Sequence, residues 1–130
     1  YLVQENLIRL AKSYGLEVTA FSPLGSLSYV ELDMAEQSES ILEQHVVKEI
    51  ANRVGCTLAQ VLLSWGVQRG TSVVVKSTNP ERMKHNLDAE SIQLSDEDMA
   101  SISALNRNRR YNDPGVFCEA AFNTFHPIYD

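Results

Sequence analysis

The sequence has few of the features that mark secreted, membrane-spanning or nucleic-acid-binding proteins. Its two cysteines, Cys56 and Cys118, have neither CxxC nor metal-ligand spacing, which argues against a disulfide framework or a metal site and favours a reducing, cytoplasmic compartment. The longest apolar run, residues 61–63, is far shorter than the roughly 20 residues that a membrane span needs. With 11 lysines and arginines against 17 aspartates and glutamates, the net charge of -6 argues against a broad surface for nucleic acid or an anionic membrane. Any phosphate site is therefore expected to be local.

The length and composition are those of one folded domain. A chain of 130 residues can bury a sizeable core, and 44% hydrophobic with 22% charged residues excludes a disordered or fibrous protein. Residues 1–6 contain no initiator methionine and nothing like a secretion signal, so we expect the opening to be internal to a longer chain.

Helical and strand patterns alternate along the chain. We first predict an amphipathic helix with Leu7, Leu10, Ala11 and Tyr14 on one face, then a strand over residues 16–21 and a long exposed loop over residues 26–40. Next come a helix over residues 41–54, a helix that begins at a Thr57–Gln60 capping box, and a strand over residues 72–76. The last predicted elements are a helix from Asn79 and Pro80 to Leu87, a helix from Ser95, and an aromatic tail over residues 107–130 that is too irregular for a helix. This order indicates an α/β fold with parallel strands. Two strands leave two unpaired edges, so we expect the unit to be incomplete on its amino side.

The sharpest functional pattern follows the second strand. There the carboxyl end of a strand is followed by the amino terminus of a helix, whose N–H groups and dipole favour an anion. Lys76, Ser77 and Arg82 can add charge-assisted hydrogen bonds from one side. The segment is a phosphate site in outline, although an ordinary turn with solvated charges has the same residue types.

A second phosphate candidate follows the first strand. Residues 22–26, Ser-Pro-Leu-Gly-Ser, could offer hydroxyl and amide groups to a pyrophosphate, although Pro and Gly after a strand mark ordinary turns as well. Both candidates follow carboxyl ends of parallel strands, where barrels and open sheets place their ligands.

The tight corner between the second and third predicted helices resembles a helix-turn-helix. A recognition helix presents several Arg, Lys, Asn or Gln side chains to base edges, but residues 58–70 offer only Gln60, Gln68 and Arg69. On a chain of net charge -6, this disfavours DNA binding.

Five blocks of sequence occur in a characteristic order: TAFSPLGS, AQVLLSWGVQRG, VVVKSTNPERMKHNL, LSDEDMASISALN and RRYNDP. Together they resemble the carboxyl-terminal part of the aldo-keto reductases, in particular the fungal xylose and glycerol reductase branch. The resemblance implies a partial (β/α)8 TIM barrel, with residues 1–130 as the carboxyl-terminal part of an NADP-dependent oxidoreductase domain and the two strands as strands 7 and 8. It also implies NADPH as the cofactor and an aldehyde or aldose as the carbonyl substrate.

The resemblance also implies which residues form the site. The positions that match those gripping the adenosine 2′-phosphate and the adenine are Lys76, Ser77, Asn79, Arg82 and Asn86. The positions that match those along the pyrophosphate are Ser22, Leu24 and Ser26. Phe21 matches the aromatic residue that stacks on the nicotinamide, and Asn112 matches a residue that meets the sugar substrate.

The sequence departs from the family pattern at several of these places. Phe21 stands where a tyrosine is usual and keeps the π face, while Val75 replaces a common proline. His85 replaces a glutamate that bonds the adenine amine, and no tryptophan occurs near Gly115 where the family has one, so the substrate is left open.

The family's catalytic groups are a tyrosine acid supported by Lys, His and Asp, all from the first half of the barrel. Four tyrosines of this sequence lie outside that motif: Tyr14, Tyr29, Tyr111 and Tyr129. Three histidines are expected to be surface or packing residues: His45, His85 and His126. We therefore predict no catalytic residue and an inactive isolated chain. The alternative is a non-catalytic nucleotide-binding or pairing module.

Overall fold

The computed structural model describes residues 1–25, 29–30, 35–111 and 113–124, and its centre is a two-stranded parallel sheet. Strand β1 (Thr19–Ala20) pairs with β2 (Ser72–Val73) in the register Thr19 to Ser72 and Ala20 to Val73. The Ser72 amide donates to the Val18 carbonyl at 3.0 Å. The predicted parallel α/β arrangement is thereby confirmed. The strands are shorter than predicted because, within the described residues, each has a neighbour on one side only.

Helices supply most of the remaining structure. The α-helices are α1 (Glu5–Ser13), α2 (His45–Val54), α3 (Leu58–Gln68), α4 (Pro80–Asp88), α5 (Asp96–Ser103) and α6 (Pro114–Phe122). Short 3-10 helices span Gln37–Glu39, Ile41–Glu43 and Ala89–Ser91. Among the described residues, no helix is both long and apolar enough to span a bilayer.

Capping fixes where the central helices begin. The Gln60 amide donates to the Thr57 hydroxyl at 3.2 Å, and the Thr57 amide donates to Gln60 Oε1 at 3.0 Å. Ser95 and Asp98 form the same reciprocal pair at the start of α5, with both contacts at 3.2 Å. Both capping predictions are confirmed, because a capping box depends only on residues three apart.

The core lies between α2, α3 and α5. Its buried residues are Val47, Ile50, Ala51, Val61, Leu62, Leu94 and Ile102. Gly66 lets α3 approach the sheet, since a Cβ at this position would lie 2.8 Å from Val73 Cγ1. Helix α3 is therefore held directly against β2.

The amphipathic face predicted for α1 is not buried. Leu7, Leu10 and Tyr14 are each more than half exposed, and Ile8 is the buried residue of this helix. Gly15 has φ +68°, as expected where a helix ends in a left-handed residue. The helical period of α1 was correct, but the face that packs against the described residues is a different one.

The prediction that the tail is too irregular for a helix is wrong, since residues 114–122 form α6. Asp113 caps it by accepting a hydrogen bond from the Gly115 amide at 2.9 Å, and Pro114 occupies the first turn. An Asp-Pro pair is a helix-start signal that depends on backbone geometry alone. Helix α6 was not predicted because its sequence has no clear apolar period.

One helix boundary also differs from that predicted. The helix expected over residues 41–54 begins at His45, because Ile41–Glu43 form a separate 3-10 turn. Cys56 and Cys118 are free and half-buried, and burial raises the pKa of the Cys56 thiol.

We predict that Gly66→Ala destabilises the chain. Alanine favours a helix by about 1 kcal/mol, but overpacking against Val73 costs about 1 to 3 kcal/mol. The free energy of unfolding measured in urea should fall by about 1 kcal/mol, the middle of the roughly 0 to 2 kcal/mol that these two effects leave. Asn52→Ala, on the exposed side of α2, should keep or raise stability. A Gly66→Ala chain as stable as the parent would contradict the close approach.

A buried carboxylate joins α5 to α2. The Asp98 side chain is 8% exposed and pairs with Arg53. Burial opposes its ionisation, but hydrogen bonds from Arg53 and Ser95 outweigh burial and hold the pKa of Asp98 below its ordinary value. A lowered folded-state pKa stabilises the fold above the ordinary pKa, and this stabilisation is lost as the pH falls toward the folded value.

We expect Asp98→Asn to lower the free energy of unfolding at pH 7 and to lower it much less near pH 3. The ordinary aspartate pKa is about 3.9, so below it the parent chain progressively loses the same interaction. Urea unfolding at the two pH values measures this. Asp96→Asn, an exposed position of the same helix, is the control and should show little pH-dependent difference. A deficit for Asp98→Asn that is equal at both pH values would refute the interpretation.

Candidate functional site

The parallel register places the two sequence-predicted segments at one edge of the sheet. Residues 21–25 follow β1 and residues 74–79 follow β2, and paired parallel strands have their carboxyl ends side by side. Phe21 and Val74 continue the strands and are 74% and 63% exposed. This edge therefore offers open surface beside both candidate phosphate segments.

Local hydrogen bonds shape the segment between β2 and α4. Asn79 caps the helix, its Oδ1 accepting from the Arg82 amide at 3.1 Å. The Asn79 amide in turn donates to the Ser77 hydroxyl at 3.1 Å. Pro80 occupies the first turn, where its missing N–H costs nothing. The turn is thus ordered by its own residues.

Two cations of this segment are uncommitted. Lys76 and Arg82 are exposed, and neither side chain has a hydrogen bond or ion pair to any residue that the structure describes. By contrast, Lys84 on the same helix pairs with Asp88 at 2.8 Å. Half-buried Asn86 lies one helical turn beyond Arg82. The segment therefore has one ammonium group and one guanidinium group that can bind an anion.

The cap changes what Asn79 can offer. Its carboxamide oxygen and the Arg82 amide are already bonded to each other, so only the Nδ2 donor of Asn79 remains free for a ligand. The Ser77 hydroxyl is also shared, lying 3.4 Å from the Asn79 carbonyl oxygen. Lys76 and Arg82 thus carry most of the free donor capacity, while Ser77 and Asn79 mainly hold the turn in shape.

The turn after β1 is a tight one. Ser22 and Gly25 have positive φ angles of 49° and 72°, and the Gly25 amide donates to the Ser22 carbonyl at 2.9 Å. Leu24 packs its side chain against the core, so only its backbone faces a ligand from this turn. Ser26 and Asn112, two predicted site positions, lie outside the described residues.

A cavity of about 470 Å³ opens between this turn, α1, α3 and residues 105–111. Phe21 and Ser22 line it, but none of Lys76, Ser77, Asn79, Arg82 or Asn86 does. The described structure therefore divides the predicted site residues between a cavity and a separate surface. Sequence reasoning missed the other lining residues, among them Trp65, Arg69 and Arg109, because the lining comes from several distant segments with no shared motif.

Two tyrosines that line the cavity have a shifted pKa. Burial raises the pKa of the Tyr1 and Tyr111 phenols, which is opposite to the shift that a tyrosine acid needs near neutral pH. His45 is a surface residue as predicted, 84% exposed and 3.1 Å from Glu49. Among the described residues, no cluster of three or more His, Cys, Asp or Glu side chains could hold a metal.

Known proteins resemble this chain over most of its length. The family model described as aldo/keto reductase family matches residues 1–107. A probable NAD(P)H-dependent D-xylose reductase of Aspergillus niger is 47% identical over 131 residues, covering 99% of this chain and 40% of that protein. The corresponding protein of Aspergillus fumigatus is 46% identical over 116 residues, covering 88% of this chain and 37% of that protein.

A third relative is an NADPH-dependent aldose reductase of Saccharomyces cerevisiae, 39% identical over 129 residues, with 96% of this chain and 39% of that protein covered. The chain thus spans no more than 40% of the length of these relatives. The family model covers far more than half of the chain. The chain belongs to the aldo/keto reductase family.

Proposed function

We propose that the chain forms the cofactor-binding, carboxyl-terminal part of a (β/α)8 barrel that reduces carbonyl compounds with NADPH. Strands β1 and β2 are its strands 7 and 8. Their parallel pairing and the packing of α3 against β2 support this assignment, because a barrel is built from parallel strands covered by helices on the outside. A complete barrel takes about 250 residues, roughly twice the length of this chain.

The observation that carries the proposal is the pair of uncommitted cations after β2. Lys76 and Arg82 flank the amino terminus of α4, where the helix dipole also favours negative charge. We assign them to the adenosine 2′-phosphate, with Arg82 also lying flat on the adenine. Ser77, Asn79 and Asn86 complete the adenosine side of the site. The residues present therefore fit the phosphate of NADPH.

The nicotinamide half of the cofactor is assigned to the segment after β1. Exposed Phe21 offers an aromatic face for stacking, and the Ser22–Gly25 turn offers backbone groups to the pyrophosphate. Ser26 extends this segment, and Asn112 is proposed to contact the substrate. The chemistry that NADPH supplies when bound is hydride transfer to a carbonyl carbon.

We propose an aldose or another aldehyde as the carbonyl substrate. The support comes from the printed names of the relatives, which are D-xylose reductases and an aldose reductase. The chain itself contributes no tyrosine in the family's catalytic motif, so these 130 residues alone bind the cofactor without turning it over.

Non-catalytic nucleotide binding is the second candidate, and one observation favours it. All five residues assigned to the adenosine and its 2′-phosphate lie within residues 76–86, and hydrogen bonds among Ser77, Asn79 and Arg82 hold the turn. A site this local does not depend on the catalytic half of a barrel.

We expect Lys76→Met and Arg82→Ala each to weaken binding of NADPH by about tenfold or more and to change binding of NADH much less. The reason is that a charge-assisted contact to phosphate is lost, and only NADPH carries the 2′-phosphate. Titration calorimetry on the chain measures both affinities.

Lys84→Met is the matched control, since it removes a lysine that is already paired with Asp88. It should leave the affinity for NADPH nearly unchanged. Equal losses for NADPH and NADH in Lys76→Met and Arg82→Ala would remove the phosphate assignment.

The chain alone should not oxidise NADPH in the presence of D-xylose or glycerone. Absorbance at the nicotinamide band follows the reaction, and binding of NADPH under the same conditions shows that the site is intact. Steady turnover by the 130-residue chain, with the same dependence on Lys76 as binding, would show that the catalytic groups are present after all.

A further inference from the structure

One face of α4 carries three polar side chains: Arg82, His85 and Asn86. His85 lies three residues and Asn86 four residues after Arg82, and residues at these spacings have Cβ atoms about 5 to 6 Å apart on one side of a helix. None of the three side chains has a hydrogen bond or ion pair to a residue that the structure describes. This face therefore continues from the proposed phosphate site along the helix.

The charged neighbours of this face leave His85 free. Lys84 and Asp88 pair with each other at 2.8 Å, and the helical period places them on another side of α4. Helix α3 packs against α4 and contains no charged residue. Glu81 lies one turn before His85 and makes no ion pair with it. His85 can therefore turn to a ligand without breaking an ion pair to a described residue.

The proposed function places a purine base over this face. The inference that follows rests on that proposal, in which Lys76 and Arg82 hold the 2′-phosphate and Arg82 also lies flat on the adenine. Because the phosphate is at the amino terminus of α4, the base extends toward the following turn of the helix. The polar side chains of that turn on the same face are His85 and Asn86. The hydrogen-bonding edge of the base is therefore expected next to them.

Neither of these two side chains selects a donor over an acceptor. A neutral imidazole has one N–H donor and one acceptor nitrogen, and a carboxamide has both an NH2 group and an oxygen. Each can accept from the 6-amino group of adenine or donate to the 6-oxo group of hypoxanthine. His85 is also exposed, so water satisfies it where the base does not. The penalty for exchanging one purine for the other is therefore small.

We propose that His85 makes the nucleotide site tolerant of the base, so that the site accepts a 6-amino or a 6-oxo purine and selects for the 2′-phosphate. The ligand class that follows is purine nucleoside 2′-phosphates, of which NADPH is one member. Selectivity then comes from Lys76 and Arg82, whose cationic groups bind the phosphate. His85 is a specificity-determining residue, because it meets the edge at which the two purines differ.

Adenosine 2′,5′-bisphosphate and inosine 2′,5′-bisphosphate are the matched probes, since they differ only at this edge of the purine. Titration calorimetry at pH 8, where histidine imidazoles are generally neutral, measures both affinities. We expect the two affinities to agree within about threefold, because neither base leaves a buried group unpaired. A larger preference for either compound would contradict the proposal.

Substitution of His85 tests its role directly. A carboxylate only accepts hydrogen bonds, so His85→Glu should shift the ratio of affinities toward the adenosine compound by about threefold or more. The ratio cancels the loss of affinity that the added negative charge causes for both compounds. Glu81→Gln, the control on the same helix, should leave the ratio unchanged. An unchanged ratio in His85→Glu, or an equal shift in Glu81→Gln, would refute the assignment of His85.

Lys76→Met separates this inference from the proposed function on which it rests. The substitution should weaken both bisphosphates by about tenfold or more and leave the ratio of their affinities at the parent value. No loss for either compound would count against the proposed phosphate site itself. A loss for both, together with strong discrimination between the two bases by the parent chain, would keep the phosphate site and overturn only the role of His85.

Discussion

The parallel pairing of β1 with β2 is the constraint on which the rest of the structure depends. The Ser72 and Val74 amides bond the Val18 and Ala20 carbonyls at 3.0 and 3.4 Å, and the Thr19 and Ser72 hydroxyls lie 2.7 Å apart. This register brings the carboxyl ends of two strands together although their sequences are more than fifty residues apart. This register is what places the turn after β1 and the segment before α4 at the same edge of the sheet.

The way the cations of the chain are paired separates structural charges from available ones. Arg53, Arg69 and Lys84 all have carboxylate partners in the described residues, and each holds one part of the fold to another or stabilises its own helix. Lys76 and Arg82 have no such partner there. Exposed unpaired cations are common in general, so position gives these two their meaning: they stand where a strand end meets a helix amino terminus.

Sequence patterns predicted the features that depend on near neighbours in the chain. The caps at Thr57, Asn79 and Ser95 form as expected, because each needs only a side chain and an amide three residues away. The buried face of α1 could not be predicted in this way, since a helical period shows which residues share a face and not which face meets a neighbour. Helix α6 was missed for a related reason: its start is marked by Asp113 and Pro114, while its interior has no clear apolar stripe.

The phosphate segment and the cavity also differ in how far the sequence predicts them. The five residues proposed for the phosphate and adenosine lie within eleven consecutive positions, 76–86, so the sequence alone could suggest them. The cavity is assembled mainly from residues near 1–8, 18–25, 62–71 and 102–111, which meet only once the chain is folded. Long-range packing brings those residues together, so no local sequence motif predicts the cavity.

Amide spectra of the ¹⁵N-labelled chain, titrated with adenosine 2′,5′-bisphosphate, test the central assignment most directly. The account predicts that the shifted amides concentrate in residues 76–86 and that adenosine 5′-monophosphate shifts them far less at the same concentration. Shifts that are equal for the two nucleotides, or that fall mainly around Arg69 and Arg109, would contradict it.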